Sequence, residues 1–209
     1  MTRLIVWRHG NTDWNAGSRV QGQTDVPLND LGRQQAVDAA ELLIKFRPDA
    51  IVASDLLRAS DTAAALAALS GLSITFDKRL RERYFGAWQG LTMTEVAERF
   101  PAQYAAWKAG QEVGGEVETL EALSVRVADA LREAAASVPS TGTVVVATHG
   151  AAARQGVARV LGWSMEQVRT LRALQNCHWV ELIHDDDRGW QLATYNVGPF
   201  TERPSPPPV

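Results

Sequence analysis

Short apolar runs alternate along this chain with stretches of helical periodicity, and that alternation narrows the fold more than any other feature. Leu4-Ile5-Val6-Trp7 is too short for a helix and rich in strand formers, so it reads as a buried strand. A Gly/Asn/Thr/Asp-rich loop follows. Asp30 is then expected to cap a helix reaching Phe46, with Leu31, Ala36, Ala39, Leu42 and Leu43 on one face. Ala50-Ile51-Val52-Ala53 is the second strand, Ser54 to about Gly71 an Ala/Leu-rich helix, and Leu72 to Phe76 a third strand. The strongest strand is Thr143-Val144-Val145-Val146-Ala147-Thr148, which leads into a helix from Ala151 to Leu161. Strands separated by helices can pair in parallel only if the helices cover the sheet faces. The expected fold is therefore α/β, with a mostly parallel sheet.

The middle of the chain breaks this rhythm. Thr92-Met93-Thr94-Glu95 has the form of a capping box for a short helix to Phe100. Pro101 to Lys108 reads as a second short helix, Gly110 to Gly115 as a turn, and Thr119 to Ser137 as a long amphipathic helix. This block is expected to be a helical insertion over the C-terminal edge of the strands. His178 to Ile183 and Trp190 to Tyr195 alternate as a β-hairpin would. A single domain is expected over residues 1–200, followed by a disordered Pro-rich tail over 201–209.

Bulk properties exclude several classes. A net charge of −3 gives the chain no global attraction to nucleic acid or to an anionic membrane. Cys177 is the single cysteine, so no internal disulfide can form and a structural zinc site is not expected. No apolar run approaches the roughly 20 residues of a membrane helix. Arg8 ends the first apolar run too early for a signal-peptide core. A cytoplasmic location is expected.

Two strands end alike. The first runs into Arg8-His9-Gly10 and the strongest into His149-Gly150. Ligands of open parallel sheets bind beyond the carboxyl ends of the strands, so both histidines should reach one edge. The second strand leads to Arg58 in the first turn of the next helix, and the third to Glu82 a few residues on. Guanidiniums grip a phosphate dianion bidentately. An imidazole nitrogen can attack phosphorus. A carboxyl group can protonate the leaving alkoxide. Such a set needs no metal, because phosphoryl transfer asks mainly for positioning and charge. No cofactor is expected. Trp14 and Trp88, in loops near this edge, are further candidates to line the site.

These residues resemble the motifs of the histidine phosphatase superfamily, also called phosphoglycerate mutase-like. The likeness is carried by Arg8-His9-Gly10-Asn11-Thr12-Asp13-Trp14-Asn15, Leu28 to Ala36, Ser54 to Ala63, Leu80 to Gly90 and Thr148-His149-Gly150, in that order. The resemblance implies a three-layer α/β/α sandwich. It implies that His9 is the phosphorylated nucleophile, with Arg8, Arg58 and His149 on the phosphoryl group and Glu82 as proton donor. It further implies that Asn15 and Gly150 contact phosphate and that Gln21 and Gly22 line the substrate side. Gly17 to Gln23, Gly86 to Thr92, Asn176 to Trp179 and Tyr195-Asn196 resemble the actinobacterial glucosyl-3-phosphoglycerate phosphatases. That likeness implies a small phosphate ester as substrate and a possible homodimer.

Two other readings compete. A cofactor-dependent phosphoglycerate mutase uses the same nucleophile, but the segment from Gly86 to Gly115 is short and carries only Arg99 and Lys108 for a second phosphate. A non-catalytic phospho-ligand-binding protein would usually lack the nucleophile or the acid, and this chain keeps both.

Overall fold

The structure is a computed structural model that describes residues 1–199; the expected disorder of the tail lies outside the described residues. Six strands form one sheet: β1 (Thr2–Arg8), β2 (Ala50–Ala53), β3 (Ile74–Phe76), β4 (Thr143–Thr148), β5 (Trp179–Asp185) and β6 (Gly189–Val197). Their order is β3-β2-β4-β1-β5-β6. The three pairs from β3 to β1 are parallel, whereas β5 and β6 join as an antiparallel hairpin.

The strand period of two sorts the core into two layers. Leu4, Val6, Val144 and Val146 point to one face, where α6 (Leu120–Ala136) and α7 (Gly150–Val160) cover them. Ile5, Trp7, Val145 and Ala147 point to the other, under α2 (Asp30–Leu43) and α3 (Leu57–Ser70). Central strands buried on both sides explain why their sequences are continuous apolar runs rather than alternating ones. The three-layer α/β/α sandwich is thus built as expected.

Shorter helices complete the fold: α1 (Asp13–Ala16) in the loop after β1, α4 (Met93–Arg99) and α5 (Pro101–Lys108) in the middle, and α8 (Met165–Thr170) after α7. Trp88, Val96, Val113 and Val117 form a small core of their own around α4 and α5. No helix of the described residues is long and apolar enough to cross a membrane.

Several expectations need correction. The helix from Thr119 is not part of the insertion. Its apolar stripe of Leu123, Val127 and Leu131 packs directly on β1 and β4, so it is a layer helix and the insertion shrinks to α4, α5 and their loops. Trp88 is 1% exposed in that small core, so it packs there rather than lining the site. Asn29 rather than Asp30 caps α2, its side chain accepting the Gly32 N–H. The helix after β2 opens at Leu57, because Ser54 is drawn into the site described below.

Candidate active site

The chain leaves β1 toward α2 on one face and leaves the neighbouring β4 toward α7 on the other. Adjacent parallel strands whose connections part in this way open a crevice at their carboxyl ends. His9 and His149 are the first residues beyond those two ends. The His9 N–H donates to Thr148 O at 2.9 Å, and the two imidazole centroids are 5.2 Å apart.

His9 is 3% exposed. Its Nδ1 lies 2.7 Å from Gly10 O. A carbonyl can only accept, so Nδ1 carries the proton and Nε2 keeps its lone pair. Burial, then the nearby Arg58 and Arg8, hold the imidazole's pKa well below its ordinary value. The ring is therefore neutral, with Nε2 as the free base. Gly10 is fixed in turn: its N–H donates to Thr62 Oγ1 at 3.0 Å, and its backbone packs against Gly32. Asn176, in the loop before β5, donates its amide to His9 O at 2.9 Å, Gly10 O at 3.1 Å and Asn15 Oδ1 at 3.3 Å. Asn176 thus ties the nucleophile's backbone to the loop that carries Asn15.

Arg58 is wholly buried. Its two terminal nitrogens donate to Thr24 O at 2.8 Å and Gly22 O at 2.7 Å. Burial brings its pKa down to about 10, which leaves it a cation at neutral pH. Gly22 has φ +53°, and a Cβ there would meet the Gln89 amide oxygen at 2.1 Å, so glycine is required. Arg8 donates to Leu174 O, and burial lowers its pKa too. His149 Nε2 sits 2.8 Å from Ser54 Oγ. Burial first, then Arg58, keep this ring neutral as well. If the hydroxyl donates to Nε2, the remaining N–H of His149 is at Nδ1.

Glu82 reaches the crevice from the segment after β3. Its oxygens accept the N–H groups of Ala151 and Ala152, both at 3.0 Å, and of Arg83 at 2.8 Å. The carboxyl group therefore rests on the first turn of α7, fixed in place by backbone donors that the helix leaves unpaired. Arg126 on α6 holds the segment itself, donating to the carbonyls of Arg79, Arg81 and Glu82 at 2.6, 2.7 and 3.0 Å. It also pairs bidentately with Glu118.

A cavity of about 320 Å³ opens beside these groups, with Arg8, Glu82, Arg83, Phe85, Trp107 and Arg154 among its walls. Among the described residues, seven buried side-chain polar atoms lack a hydrogen-bond partner. Five are nitrogens at this site: Arg8 Nε, Arg58 Nε, Arg83 Nη2, His149 Nδ1 and Arg154 Nε. Buried polar atoms are rarely left unpaired, so such a concentration marks a place built for an anion.

The structure brings together five of the residues expected from the sequence: Arg8, His9, Arg58, Glu82 and His149. Gly150 opens α7, and an added Cβ there would stand 3.5 Å from Arg8 Cζ. Asn15 lies in α1, bonded to Asn176. Gln21 is buried with its side-chain oxygen unpartnered, and Gly22 meets the site through its bond to Arg58. Sequence reasoning did not single out Ser54, Arg126, Arg154, Trp107 or the role of Asn176. Only Ser54 carried a signal, as the first polar residue after a buried strand.

The profile of the Histidine phosphatase superfamily (branch 1) matches residues 4–198. The chain is 39% identical to a glucosyl-3-phosphoglycerate phosphatase of Mycolicibacterium vanbaalenii, over 93% of this chain and 94% of that protein. It is 36% identical to the metal-independent phosphoserine phosphatase of Arabidopsis thaliana, over 94% and 82%. Among solved structures, a mycobacterial glucosyl-3-phosphoglycerate phosphatase complexed with VO3 superposes with a TM-score of 0.84 at 36% identity, covering 95% of this chain and all of that one.

Proposed function

This chain belongs to the histidine phosphatase superfamily, and on that premise we propose that it is a metal-independent phosphatase that hydrolyses small phosphate monoesters through a phosphohistidine at His9. The observation that carries the reading is the neutral His9 ring, with Nδ1–H held by Gly10 O and Nε2 free, beside buried nitrogens that lack partners.

The chemistry follows in two steps. Nε2 attacks phosphorus, the P–O ester bond breaks, and the leaving alkoxide takes a proton from Glu82. Water then attacks phosphorus with Glu82 as base, the N–P bond breaks, and inorganic phosphate leaves. Arg8, Arg58 and His149 offset charge on the equatorial oxygens in both steps. Fixed, buried guanidiniums act more strongly than mobile surface ones, because no solvent reorganises around them.

The relatives direct the choice of substrate. Glucosyl-3-phosphoglycerate is the first ester to test, and phosphoserine the second. A phosphate-release screen over these two, 3-phosphoglycerate, simple sugar phosphates and nucleotides is expected to give the highest kcat/KM for one of the first two. Conversion of 3-phosphoglycerate to 2-phosphoglycerate without phosphate release would overturn the phosphatase reading in favour of a mutase. We also propose a cytoplasmic location, tested by cell fractionation, and a homodimer on the likeness to the glucosyl-3-phosphoglycerate phosphatases, tested by sedimentation.

A further inference from the structure

We propose that Arg154, assisted by Arg83, forms a second anion subsite that takes a carboxylate on the leaving group of the phosphate ester. The proposal rests on the phosphatase reading above and specifies the half of the substrate that the phosphoryl site does not touch.

Both arginines line the cavity that also holds Arg8 and Glu82. Arg8 and Arg58 serve the phosphoryl position, so Arg83 and Arg154 are positive charge in excess of what that position uses. Each has a buried nitrogen without a hydrogen-bond partner, Arg83 at Nη2 and Arg154 at Nε. The two differ in how far the protein already satisfies them. Arg83 donates Nε to Glu118 O at 2.7 Å, lies over the Phe85 ring, and has Glu112 at 3.7 Å. Glu112 offsets much of its charge. Arg154 has no ion-pair partner within 4 Å among the described residues. Of these two, Arg154 is therefore the guanidinium that no carboxylate of the described residues pairs with, and a single carboxylate on the ligand matches it. A planar guanidinium also meets a carboxylate edge to edge with two parallel bonds.

Position identifies the end of the substrate concerned. Arg154 stands three residues, one helical turn, beyond Ala151, whose N–H holds Glu82. Glu82 is the group that protonates the leaving oxygen, so an anion held one turn beyond it belongs to the leaving alcohol. Glu82 and Arg154 line one cavity of about 320 Å³, which suits a carboxylate on the same small leaving alcohol. Phe85, Trp107 and Leu120 supply apolar wall for the intervening carbons.

The test compares 3-phosphoglycerate with glycerol 3-phosphate, which differ mainly in a carboxylate against a hydroxymethyl group. The wild-type enzyme is expected to favour 3-phosphoglycerate in kcat/KM by roughly 10- to 100-fold, the scale of one charged hydrogen-bonded pair. In Arg154→Ala that ratio should collapse toward one. Arg154→Gln, which keeps the stem and loses the charge, should lower it similarly, and Arg154→Lys should retain part of it. An unchanged ratio overturns the proposal, whether both rates fall together or neither falls. Titration of 3-phosphoglycerate into His9→Ala and into His9→Ala/Arg154→Gln gives the same comparison without turnover: equal Kd values overturn the subsite. The underlying reading fails separately, if the wild-type protein releases phosphate from neither ester nor from p-nitrophenyl phosphate.

Discussion

Replacing Asn176 separates positioning of the nucleophile from general stability. One amide group serves three acceptors, His9 O, Gly10 O and Asn15 Oδ1, at 2.9–3.3 Å. Gly10 O is also the atom that fixes the His9 tautomer. Asn176→Ala removes two donor protons from buried acceptors. At about 1 kcal/mol per bond the loss is about 2 kcal/mol, or roughly 4–8 °C in Tm for a chain of this size. Asn176→Asp is the sharper variant, because it points a carboxylate at three acceptors and replaces attraction with repulsion. Its loss should exceed that of Ala. A shift of the His9 backbone by a few tenths of an ångström should lower kcat by roughly 10- to 100-fold, with KM changed much less. The assay pairs calorimetry with steady-state hydrolysis of p-nitrophenyl phosphate, and ¹⁵N NMR reads the His9 tautomer. An Asp variant milder than Ala, or kcat within twofold of wild type in both, would refute this role for Asn176.

Three further outcomes are expected. His9 and His149 are held neutral well below their ordinary pKa, so the unfolded chain takes up protons that the folded one refuses. Stability must then fall as the pH drops through about 6.5, the ordinary value of the free ring; urea titrations that show no loss on going from neutral to mildly acidic pH would contradict their neutrality. Gly32→Ala should destabilise although alanine normally favours a helix, because its Cβ would lie 2.0 Å from Asn11 O; a raised Tm would count against the close approach of α2 to the loop that carries Asn11. Arg126→Met should cost about 3 kcal/mol, since Glu118 loses its partner and three carbonyls lose their donor. It should also lower kcat through Glu82, and a variant with wild-type kcat would show that Arg126 does not position the acid.

The parts of the fold that sequence made visible are those set by local periodicity. β1, β2 and β4 are apolar runs because helices cover both their faces, and that burial is written into every residue of Leu4–Trp7 and Val144–Ala147. The convergence of His9, His149, Arg58 and Glu82 was legible for the same reason, as each follows a recognisable strand. What depends on which helix packs where was not legible. The stripe Leu123, Val127 and Leu131 suits a cap or a sheet face equally well, and only the tertiary arrangement shows that it covers β1 and β4. Arg126 and Arg154 read as ordinary charged helix residues until their neighbours are known. The tautomer of His9 depends on a single carbonyl, which no side-chain pattern encodes.

The central claim is that the phosphoryl group passes through His9, and trapping that bond tests it most directly. Rapid quench into alkali during turnover of a ³²P-labelled ester, followed by peptide mass spectrometry, should place an acid-labile, alkali-stable phosphoryl group on His9. The label should be absent from His9→Ala and should decay at a rate no slower than kcat. Label on a serine or a carboxylate, or full turnover by His9→Ala, would contradict the account.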